Sequence, residues 1–370
     1  MFPTDIRRIR VLAWMLTAVM ITANCLQQSA GAQDKGTTAL AAEMLKSLGT
    51  EKGLCVVLGG EDGALTVELC RDGQYLVHSL CTSGDALART REDVAEADLR
   101  GVASAERGSI ARLPYSDNIV NLLVVENVGR LLREGLELQQ VLRVLRPGGA
   151  AWLGSRSGKD ALTAEQLKET LAKAGITDAV VVQRHGVWVR FKKPRPADMD
   201  VWTHRRGDAD GNPVSSDARI GVPTGVRWAA GPNWPTGNRK SAVPAVVVSK
   251  QHLVYVFEDE VSHVDGTRRE NSLIARDPYN GLRLWRRKAD TSDLAAADGR
   301  VFTKVRDELV ALDGETGKIV RAFDVDAPGR FLLSGGLLAV VGSKGLTALE
   351  VESGVVRWKT SRAPKGMRAG

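Results

Sequence analysis

Residues 309–320 read LVALDGETGKIV, which is an apolar run, a short polar turn and a second apolar run. Two similar stretches flank it, LIARDPYNGLRLW at 273–285 and LTALEVESGVVRW at 346–358. In each copy a glycine follows an acidic residue by four positions, and the next marked position lies four residues further on. The acidic residues stand 36 and then 37 positions apart. A fixed period of that length predicts stacked structural repeats.

The turn of each copy has the chemistry of a tight β-hairpin. Glycine permits the positive φ that such a turn needs, and the acidic side chain accepts hydrogen bonds from backbone amides. A large side chain at a fixed place beyond the turn can pack against the neighbouring sheet. We therefore predict the stacked four-stranded sheets of a β-propeller. The acidic residue, the glycine and the large side chain of the three copies are Asp277, Gly281 and Trp285; Asp313, Gly317 and Arg321; and Glu350, Gly354 and Trp358.

The pattern A-x-D-x-x-T-G-x-x-x-W resembles the propeller repeat named after pyrroloquinoline quinone (PQQ) enzymes, and ALDGETGKIV is the nearest copy. The same repeat builds the noncatalytic outer-membrane assembly lipoprotein, so the resemblance does not imply a quinone. Quinoprotein dehydrogenases of this family also carry an adjacent cysteine pair and a calcium-binding carboxylate set. The sequence has no adjacent cysteine pair and no recognisable calcium set. We therefore expect neither PQQ nor a metal site, and we interpret Asp277, Asp313 and Glu350 as turn residues.

The repeats occupy residues 241–365 and provide about three blades, whereas propellers use about four to eight. An open arc leaves strand edges and a Trp-bearing face uncovered. The sequence leaves two interpretations open. Either the chain is a fragment of a longer protein, or a partner or second copy supplies the other blades; we favour a truncated or split gene product.

The segment 38–195 alternates short apolar strands with helical stretches. Such alternation predicts a parallel sheet with helices on both faces, and ligands of these sheets bind at the carboxyl ends of the strands. The strand-like stretches are GLCVVLGG, YLVHSLC, IVNLLVVEN, AAWLGS, AVVVQRHG and VWVRFKK, and the helical ones are ALTVELCR, GLELQQVLRVL and TAEQLKETLAKAG.

Two motifs in this segment, LPYSDNIVNLLVVENVG and VLRVLRPGGAAWLG, resemble the second half of class I S-adenosylmethionine (SAM)-dependent methyltransferases. VVLGGEDGAL stands where that family has its glycine-rich loop. The resemblance implies a Rossmann-like fold that closes with an antiparallel hairpin. The predicted fold class is thus α/β plus all-β: a methyltransferase fold followed by an incomplete propeller.

Three positions depart from what the family uses to hold SAM. The loop keeps Gly59, Gly60 and Gly63, but Glu61 replaces the central glycine. Cys81 stands where an acidic residue holds the ribose hydroxyls, and Ser109 stands where an aspartate contacts the adenine amine. The resemblance implies that the three glycines, Cys81 and Ser109 would line the site if SAM binds. No catalytic residue can be assigned.

The N-terminus has the pattern of a secretory signal. Arg7, Arg8 and Arg10 precede an apolar core, and Ala30 and Ala32 fit the small-x-small cleavage rule. We predict a signal peptide at 1–32 and an exported protein, periplasmic or associated with the cell envelope; an uncleaved anchor is the alternative. Because SAM is a cytosolic compound, an exported methyltransferase would lack its donor.

Charge and cysteine content narrow the function further. The net charge of +7 is spread along the chain, which argues against nucleic-acid binding. Cys55, Cys70 and Cys81 all lie in the first domain, and the sequence leaves open whether a pair is bridged or all are buried free thiols.

Residues 196–240 form a linker and lead-in segment that resembles the one preceding exported propellers. We expect Trp202, Trp228 and Trp234 to pack against the first blade, and we interpret His204 as a hydrogen-bonded loop residue rather than a ligand. The sequence as a whole predicts a binding or scaffold protein with an inactive methyltransferase-like domain. The alternatives are an active methyltransferase whose repeats recruit substrate and, ranked last, a PQQ-dependent oxidoreductase.

Overall fold

The computed structural model describes residues 35–49, 52–156, 161–219, 221–222, 225–229, 245–248, 253–257, 272–288, 293–325 and 329–361. The predicted signal peptide and Trp234 lie outside these ranges. In the ranges described, no helix is both long enough and apolar enough to cross a membrane.

The chain divides into two compact units, the first built mainly from Leu54–Leu145 and Gly149–Lys193 and the second mainly from Pro194–Gly370. The finer boundaries at residues 195 and 240 stay predictions.

The first unit contains a seven-stranded sheet in the order β3-β2-β1-β4-β5-β7-β6. The β1–β4, β2–β3 and β4–β5 pairs are parallel, and β7 runs antiparallel to both β5 and β6. The strands are β1 (Gly53–Leu58), β2 (Tyr75–Cys81), β3 (Ala103–Arg107), β4 (Val120–Glu126), β5 (Leu145–Ser155), β6 (Val180–Gln183) and β7 (Val187–Lys192). The predicted Rossmann-like fold with its closing antiparallel hairpin is confirmed.

Six helices accompany this sheet in the described part of the first unit. They are α1 (35–48), α2 (Ala64–Cys70), α3 (Gly84–Glu96), α4 (Val128–Arg133), α5 (Leu138–Val144) and α6 (Ala164–Lys173). Strand β4 is buried along its whole length, as expected of a central parallel strand covered on both faces. Because the chain passes from β1 outward to β3 and then returns to β4, the carboxyl ends of β1 and β4 flank a topological switch point, where such sheets bind ligands.

The described residues of the second unit form three antiparallel four-stranded sheets, which we call the first, second and third blades. The first blade has β8 (Ala245–Val248), β9 (Leu253–Phe257), β10 (Ser272–Arg276) and β11 (Arg283–Lys288). The second has β12 (Ala295–Ala297), β13 (Arg300–Val305), β14 (Glu308–Asp313) and β15 (Ile319–Phe323). The third has β16 (Phe331–Ser334), β17 (Leu337–Gly342), β18 (Gly345–Glu350) and β19 (Val356–Thr360). The predicted incomplete propeller of about three blades is confirmed.

Neighbouring blades share apolar cores. One cluster joins the first and second blades through residues such as Leu273, Trp285 and Val310, and another joins the second and third through Phe302 and Leu338. A single sheet of this kind cannot bury both of its faces, which explains why the repeats stack.

The lead-in segment touches the first strand of every blade within three consecutive residues. Trp202 forms a two-way backbone bridge to Val248, with N···O distances of 2.9 and 2.7 Å. The Thr203 carbonyl accepts from the Ala296 amide at 2.8 Å. His204 Nε2 accepts from the Leu333 amide at 3.0 Å. These contacts connect the three blades to one lead-in segment. His204 is hydrogen-bonded to the Leu333 amide of the third blade and to Thr203 Oγ1 of the segment itself.

Candidate functional site

The loop after β1 is held by close backbone packing. Gly59 has a φ of +72°, and a Cβ there would lie 2.6 Å from Leu131 Cδ1 and 2.7 Å from the Glu126 carbonyl oxygen. At Gly63 the amide donates to Asp93 Oδ2 at 3.0 Å, and a Cβ would lie 2.8 Å from Asp93 Cβ. Contacts within the chain therefore suffice to require both glycines.

The side chain of Arg130, on α4, crosses the carboxyl ends of β1 and β2. Its Nη2 donates to the Gly59 carbonyl at 3.2 Å, and its Nη1 donates to Thr82 Oγ1 at 3.1 Å and to Glu134 Oε1 at 2.9 Å. Its Nε lies 4.0 Å from Glu61 Oε1. The backbone carbonyl of the glycine loop and the hydroxyl just after β2 are thus both bound by the protein's own guanidinium.

A second arginine occupies the β4 side of the same loop. Arg156 Nε donates to Glu126 Oε1 at 2.8 Å, and Arg156 Nη2 donates to Asp62 Oδ1 at 2.7 Å. The Glu126 side chain is only 3% exposed, and this burial raises its pKa to about 7 against the opposing effect of Arg156. Its Oε2 lies 3.1 Å from the place of a Cβ on Gly60 and has no hydrogen-bond partner among the described residues.

Asn127 completes the lining of the loop. It adopts a left-handed conformation with a φ of 54°, and its Nδ2 donates to the Gly59 carbonyl at 3.3 Å. Ser155 Oγ, at the end of β5, donates to Asn127 Oδ1 at 3.2 Å. The ends of β1, β4 and β5 are therefore linked by side chains around one glycine carbonyl.

The residues predicted for the ribose and the adenine lie differently. Cys81 ends β2, fully buried, with its Sγ 3.9 Å from Thr90 Oγ1 on α3. The Gly59 amide donates to the Leu80 carbonyl at 3.4 Å, so the glycine loop and the end of β2 are adjacent. Ser109 lies exposed beyond the end of β3. The structure thus brings the three glycines and Cys81 together and leaves Ser109 on the surface.

All three cysteines of the described chain are free thiols. Burial raises the pKa of Cys70 to about 11, and burial also raises the pKa of Cys55. A buried thiol with a raised pKa is neutral and unreactive, so these two residues act as small apolar core residues.

The three repeat turns share one backbone geometry. The amides of Gly281, Gly317 and Gly354 donate to the carbonyls of Asp277, Asp313 and Glu350 at 2.9, 2.8 and 2.7 Å, and the glycines have φ values of 75°, 67° and 74°.

The acidic side chains complete these turns in two ways. Asp277 Oδ1 accepts from the Tyr279 amide at 2.9 Å, and Asp313 Oδ1 accepts from the Thr316 amide at 2.8 Å. The longer Glu350 side chain accepts instead from Ser353 Oγ and Arg357. Across the described ranges, no cluster of three or more His, Cys, Asp or Glu side chains is arranged to hold a metal ion.

Each turn glycine is covered by a large side chain from the element that precedes its blade, either the lead-in segment or the previous blade. A Cβ on Gly317 would lie 2.6 Å from Trp285 Cδ2, and Trp285 Nε1 donates to the Gly314 carbonyl at 2.8 Å. Trp228 of the lead-in segment covers Gly281 in the same way, with a 2.6 Å approach and a 3.0 Å bond to the Pro278 carbonyl. The lead-in thus supplies the first blade with a cover that the later blades receive from their predecessors.

The third turn has an arginine in place of tryptophan. Arg321 Nη1 would lie 3.3 Å from a Cβ on Gly354 and donates to the Ser353 carbonyl at 2.9 Å, while Nη2 donates to the Glu352 carbonyl at 2.8 Å. The planar guanidinium therefore covers the glycine and bonds turn carbonyls as the indole does.

Comparison with known proteins finds separate counterparts for the two units. Residues 269–369 match the family model described as outer membrane protein assembly factor BamB. None of the curated proteins compared with the chain matches it.

Solved structures similar to this chain include three methyltransferases. One from Methanococcus maripaludis carries the provisional description S-adenosyl-L-methionine-dependent methyltransferase; it is 17% identical with a TM-score of 0.39 and spans 47% of this chain and 93% of its own. A SAM-dependent methyltransferase from Aquifex aeolicus is 18% identical with a TM-score of 0.35, and the match covers 40% of this chain and 88% of the other. The precorrin-6y C5,15-methyltransferase from Geobacter metallireducens is 14% identical with a TM-score of 0.33, and the match covers 42% of this chain and 88% of the other.

The recognition made from the sequence is confirmed at the level of fold: the chain joins a Rossmann-like domain, with the strand order and closing hairpin that the resemblance implied, to repeats of the PQQ type.

The residues of the candidate site that were not predicted from the sequence include Glu126, Asn127, Arg130 and Arg156. Glu126 had a usable signal, because an acidic residue at the end of a largely apolar strand is unusual in a buried sheet. The two arginines had none, since their partners lie far away in the chain.

Proposed function

We propose that this protein is an exported binding or scaffold protein. Its methyltransferase-like domain does not transfer methyl groups, and its repeats contact proteins or components of the cell envelope. The observation that carries the proposal is the position of Arg130, whose guanidinium binds both the Gly59 carbonyl and Thr82 Oγ1 at the carboxyl ends of β1 and β2.

Because the Arg130 guanidinium already binds the glycine loop, it opposes the binding of SAM there. A ligand that used the Gly59 carbonyl would have to displace hydrogen bonds to a charged group, which are worth roughly 1.5–3 kcal/mol each. The residue that ends β2 offers a ligand little in return, because Cys81 is buried and has no carboxylate oxygens to make the charge-assisted hydrogen bonds that ribose hydroxyls form with an acidic residue.

One observation favours an active SAM-dependent methyltransferase as the second candidate. Gly59, Gly60 and Gly63 are retained, and beside them Glu126 is buried with a pKa of about 7 and an unpartnered Oε2 within the described residues. A carboxyl group with a pKa near neutrality suits general acid–base work. A PQQ-dependent oxidoreductase gains no supporting observation.

The match of residues 269–369 to an assembly-factor family supports a role in protein contacts for the repeats and an association with the cell envelope. Export rests on the predicted signal peptide. Mass spectrometry of the protein recovered from the envelope fraction tests it: we expect a mature N-terminus at Gln33, and an N-terminus at Met1 in a cytosolic fraction would contradict export.

Native mass spectrometry of the purified chain with added SAM tests the binding half of the proposal. We expect the free mass alone for the wild type. A one-to-one adduct in the wild type that Gly59→Ala removes would instead support the active methyltransferase.

A further inference from the structure

The fourth strands of the three blades lie at the edges of the sheets that face away from the lead-in segment. Within the described sheets, β11, β15 and β19 each pair with a single neighbouring strand, and the lead-in contacts the opposite edges at β8, β12 and β16. Arg287 Nη1 on β11 donates to the Gly317 carbonyl in the turn before β15 at 2.5 Å. Arg321 Nη2 on β15 donates to the Glu352 carbonyl in the turn before β19 at 2.8 Å. The fourth strands are therefore neighbours, and we call the surface that they form the outer rim.

The outer rim is basic, whereas the rest of the blades is balanced in charge. Strand β11 carries four basic residues, β15 carries one and β19 carries two, and none of these strands carries an acidic residue. The other nine strands of the blades together carry three basic and three acidic residues. The excess of positive charge on the strands is thus confined to the outer rim.

Most of this positive charge is not neutralised by the hydrogen bonds that the arginines make. Arg286 Nε donates to Ser272 Oγ at 2.8 Å, and Arg287 and Arg321 donate to backbone carbonyls. Arg357 differs, since it pairs with the acidic residue of its own turn. Neutral oxygen partners hold the guanidinium groups in place without cancelling their charge, so the outer rim attracts an anionic partner.

Apolar side chains lie among these charges on the second blade. Ile319 and Val320 of β15 are 48% and 52% exposed, although isoleucine and valine are among the residues most often buried. Lys318 precedes them and Arg321 follows them. Cations beside exposed apolar side chains suit the surface of an anionic bilayer, where the cations approach lipid phosphates and the apolar side chains reach the acyl boundary.

Other anionic partners use only part of this surface. A nucleic acid offers phosphates but no apolar layer for Ile319 and Val320. An acidic protein has to match the fixed positions of the charges on successive blades, whereas mobile lipids adjust their headgroups to those positions. A bilayer therefore accounts for both the charges and the apolar side chains of the outer rim.

We propose that the outer rim binds the anionic headgroup surface of a phospholipid bilayer. The basic side chains of the fourth strands contact lipid phosphates, and Ile319 and Val320 reach the acyl boundary. This inference rests on the proposed function, since it names the component of the cell envelope that the repeats contact.

Sedimentation of the full chain with phospholipid vesicles tests the proposal. The anionic vesicles contain equal parts of phosphatidylglycerol and phosphatidylcholine, and vesicles of phosphatidylcholine alone are the neutral reference. Residues 1–32 are the same in every variant, so a difference between variants reports the second unit. We expect the wild type to bind the anionic vesicles more tightly than the neutral ones, and we expect added salt to weaken this binding.

Removal of charge from the outer rim should weaken the binding strongly. Arg283→Gln/Arg286→Gln/Lys359→Gln removes three exposed basic residues of β11 and β19. Each basic residue near an anionic membrane surface strengthens binding about fivefold, so we expect the affinity for anionic vesicles to fall by about a hundredfold.

The matched control removes the same charge from another part of the second unit. Arg205→Gln/Arg206→Gln/Arg330→Gln changes exposed residues of the lead-in segment and of the position before β16, which lie beside the first strands of the blades. We expect its affinity to change by less than about threefold, because charges beyond a Debye length from the membrane are screened.

A second rim variant tests the apolar contact. Ile319→Thr/Val320→Thr keeps β-branched side chains on β15 and makes them polar. We expect its affinity for anionic vesicles to fall by about tenfold, with the difference from the wild type retained at high salt. Circular dichroism of each variant verifies that the blades remain folded.

Three outcomes would overturn the inference. Equal losses in the charge variant and its control would show that binding follows net charge alone. Unchanged binding of Ile319→Thr/Val320→Thr would remove the apolar contact with the bilayer. Tighter binding of the wild type to polyglutamate or duplex DNA than to the anionic vesicles would assign the outer rim to an acidic polymer.

The failure of this inference and the failure of the proposed function are distinguishable. SAM binding in a separate experiment would contradict the proposed function and leave the vesicle result unchanged. Loss of the vesicle result would leave the absence of methyl transfer in the first unit unaffected.

Discussion

The indole of Trp285 lies directly over Gly317 of the following blade, so close that a Cβ on this glycine would stand 2.6 Å from Trp285 Cδ2. Gly317 also has a φ of +67°, which disfavours any side chain. We expect Gly317→Ala to destabilise the repeat unit by about 2–4 kcal/mol, because overpacking costs about 1–3 kcal/mol and left-handed strain adds about 1 kcal/mol. Urea denaturation measures the loss.

Gly299→Ala is the matched control for that substitution. Gly299 has a φ of +76°, and nothing lies within 4 Å of the place of its Cβ, so the control carries the strain without the clash. Equal losses in the two variants would show that the Trp285 contact contributes nothing.

Trp285 and Trp358 occupy equivalent places in the repeat but differ in burial, and their truncation should differ accordingly. Trp285→Ala removes a buried indole and its bond to the Gly314 carbonyl, so we expect a loss of about 3–5 kcal/mol. Trp358→Ala removes a side chain from the surface, so we expect a change within about 0.5 kcal/mol. Thermal unfolding measures the loss of stability in each variant. A similar loss in both would contradict the exposure of Trp358 on the third blade.

Protonation of His204 should loosen the contact between the lead-in segment and the third blade. Burial lowers the pKa of His204, with Asp208 acting in the opposite direction, and Nε2 accepts from the Leu333 amide while Nδ1 contacts Thr203 Oγ1. A depressed pKa means that the unfolded chain binds the proton more readily. The stability that neutral His204 contributes to the fold is therefore fully present above its unfolded pKa of about 6.5. That stability is lost as the pH falls through the lower pKa of the folded state.

The measurement is the free energy of unfolding as a function of pH in the wild type and in His204→Gln, whose side chain does not titrate. We expect the variant to lose less stability than the wild type between about pH 7 and pH 5. Parallel curves would exclude a titrating role for His204. His78 contributes equally to both proteins, because burial lowers its pKa in each of them.

Glu126 should have the opposite pH dependence. Burial raises its pKa to about 7, so its stabilising contribution is present below the unfolded pKa of about 4.3 and is lost as pH rises through about 7. We expect Glu126→Gln to gain stability relative to the wild type between pH 5 and pH 8, by up to about 3 kcal/mol. Chemical denaturation at the two pH values tests it, and a relative loss at the higher pH would show that Glu126 is ionised in its pair with Arg156.

The strands that the sequence predicted have a strong apolar pattern, and two of the strands that it missed have none; helices α1 and α3 were not predicted either. YLVHSLC coincides with β2, and VNLLVVE within a predicted strand coincides with β4, because both are buried nearly throughout. Strand β3 reads ASAER with only Ala103 buried, and β12 is three alanines, so neither has an alternation to detect. Both are formed by pairing with neighbouring strands.

The candidate site was predictable only in part for a related reason. The glycines and the substituted position at Cys81 follow from local motifs in the chain. Arg130 contacts Gly59 across 71 positions and Arg156 contacts Asp62 across 94, and such contacts depend on the sheet order rather than on any local spacing. The packing predicted for the lead-in tryptophans is confirmed for Trp228, whose indole lies on Gly281 of the first blade, whereas Trp202 pairs with Val248 of that blade through its backbone.

We propose that the first unit does not bind SAM because the Arg130 guanidinium occupies the space between the carboxyl ends of β1 and β2. This can be measured by calorimetric titration of SAM into the full chain, its Arg130→Ala variant and its Gly59→Ala variant. We expect no binding heat for a folded wild type. Micromolar binding by the wild type that is lost in Gly59→Ala and unaffected by Arg130→Ala would show that Arg130 does not block the site.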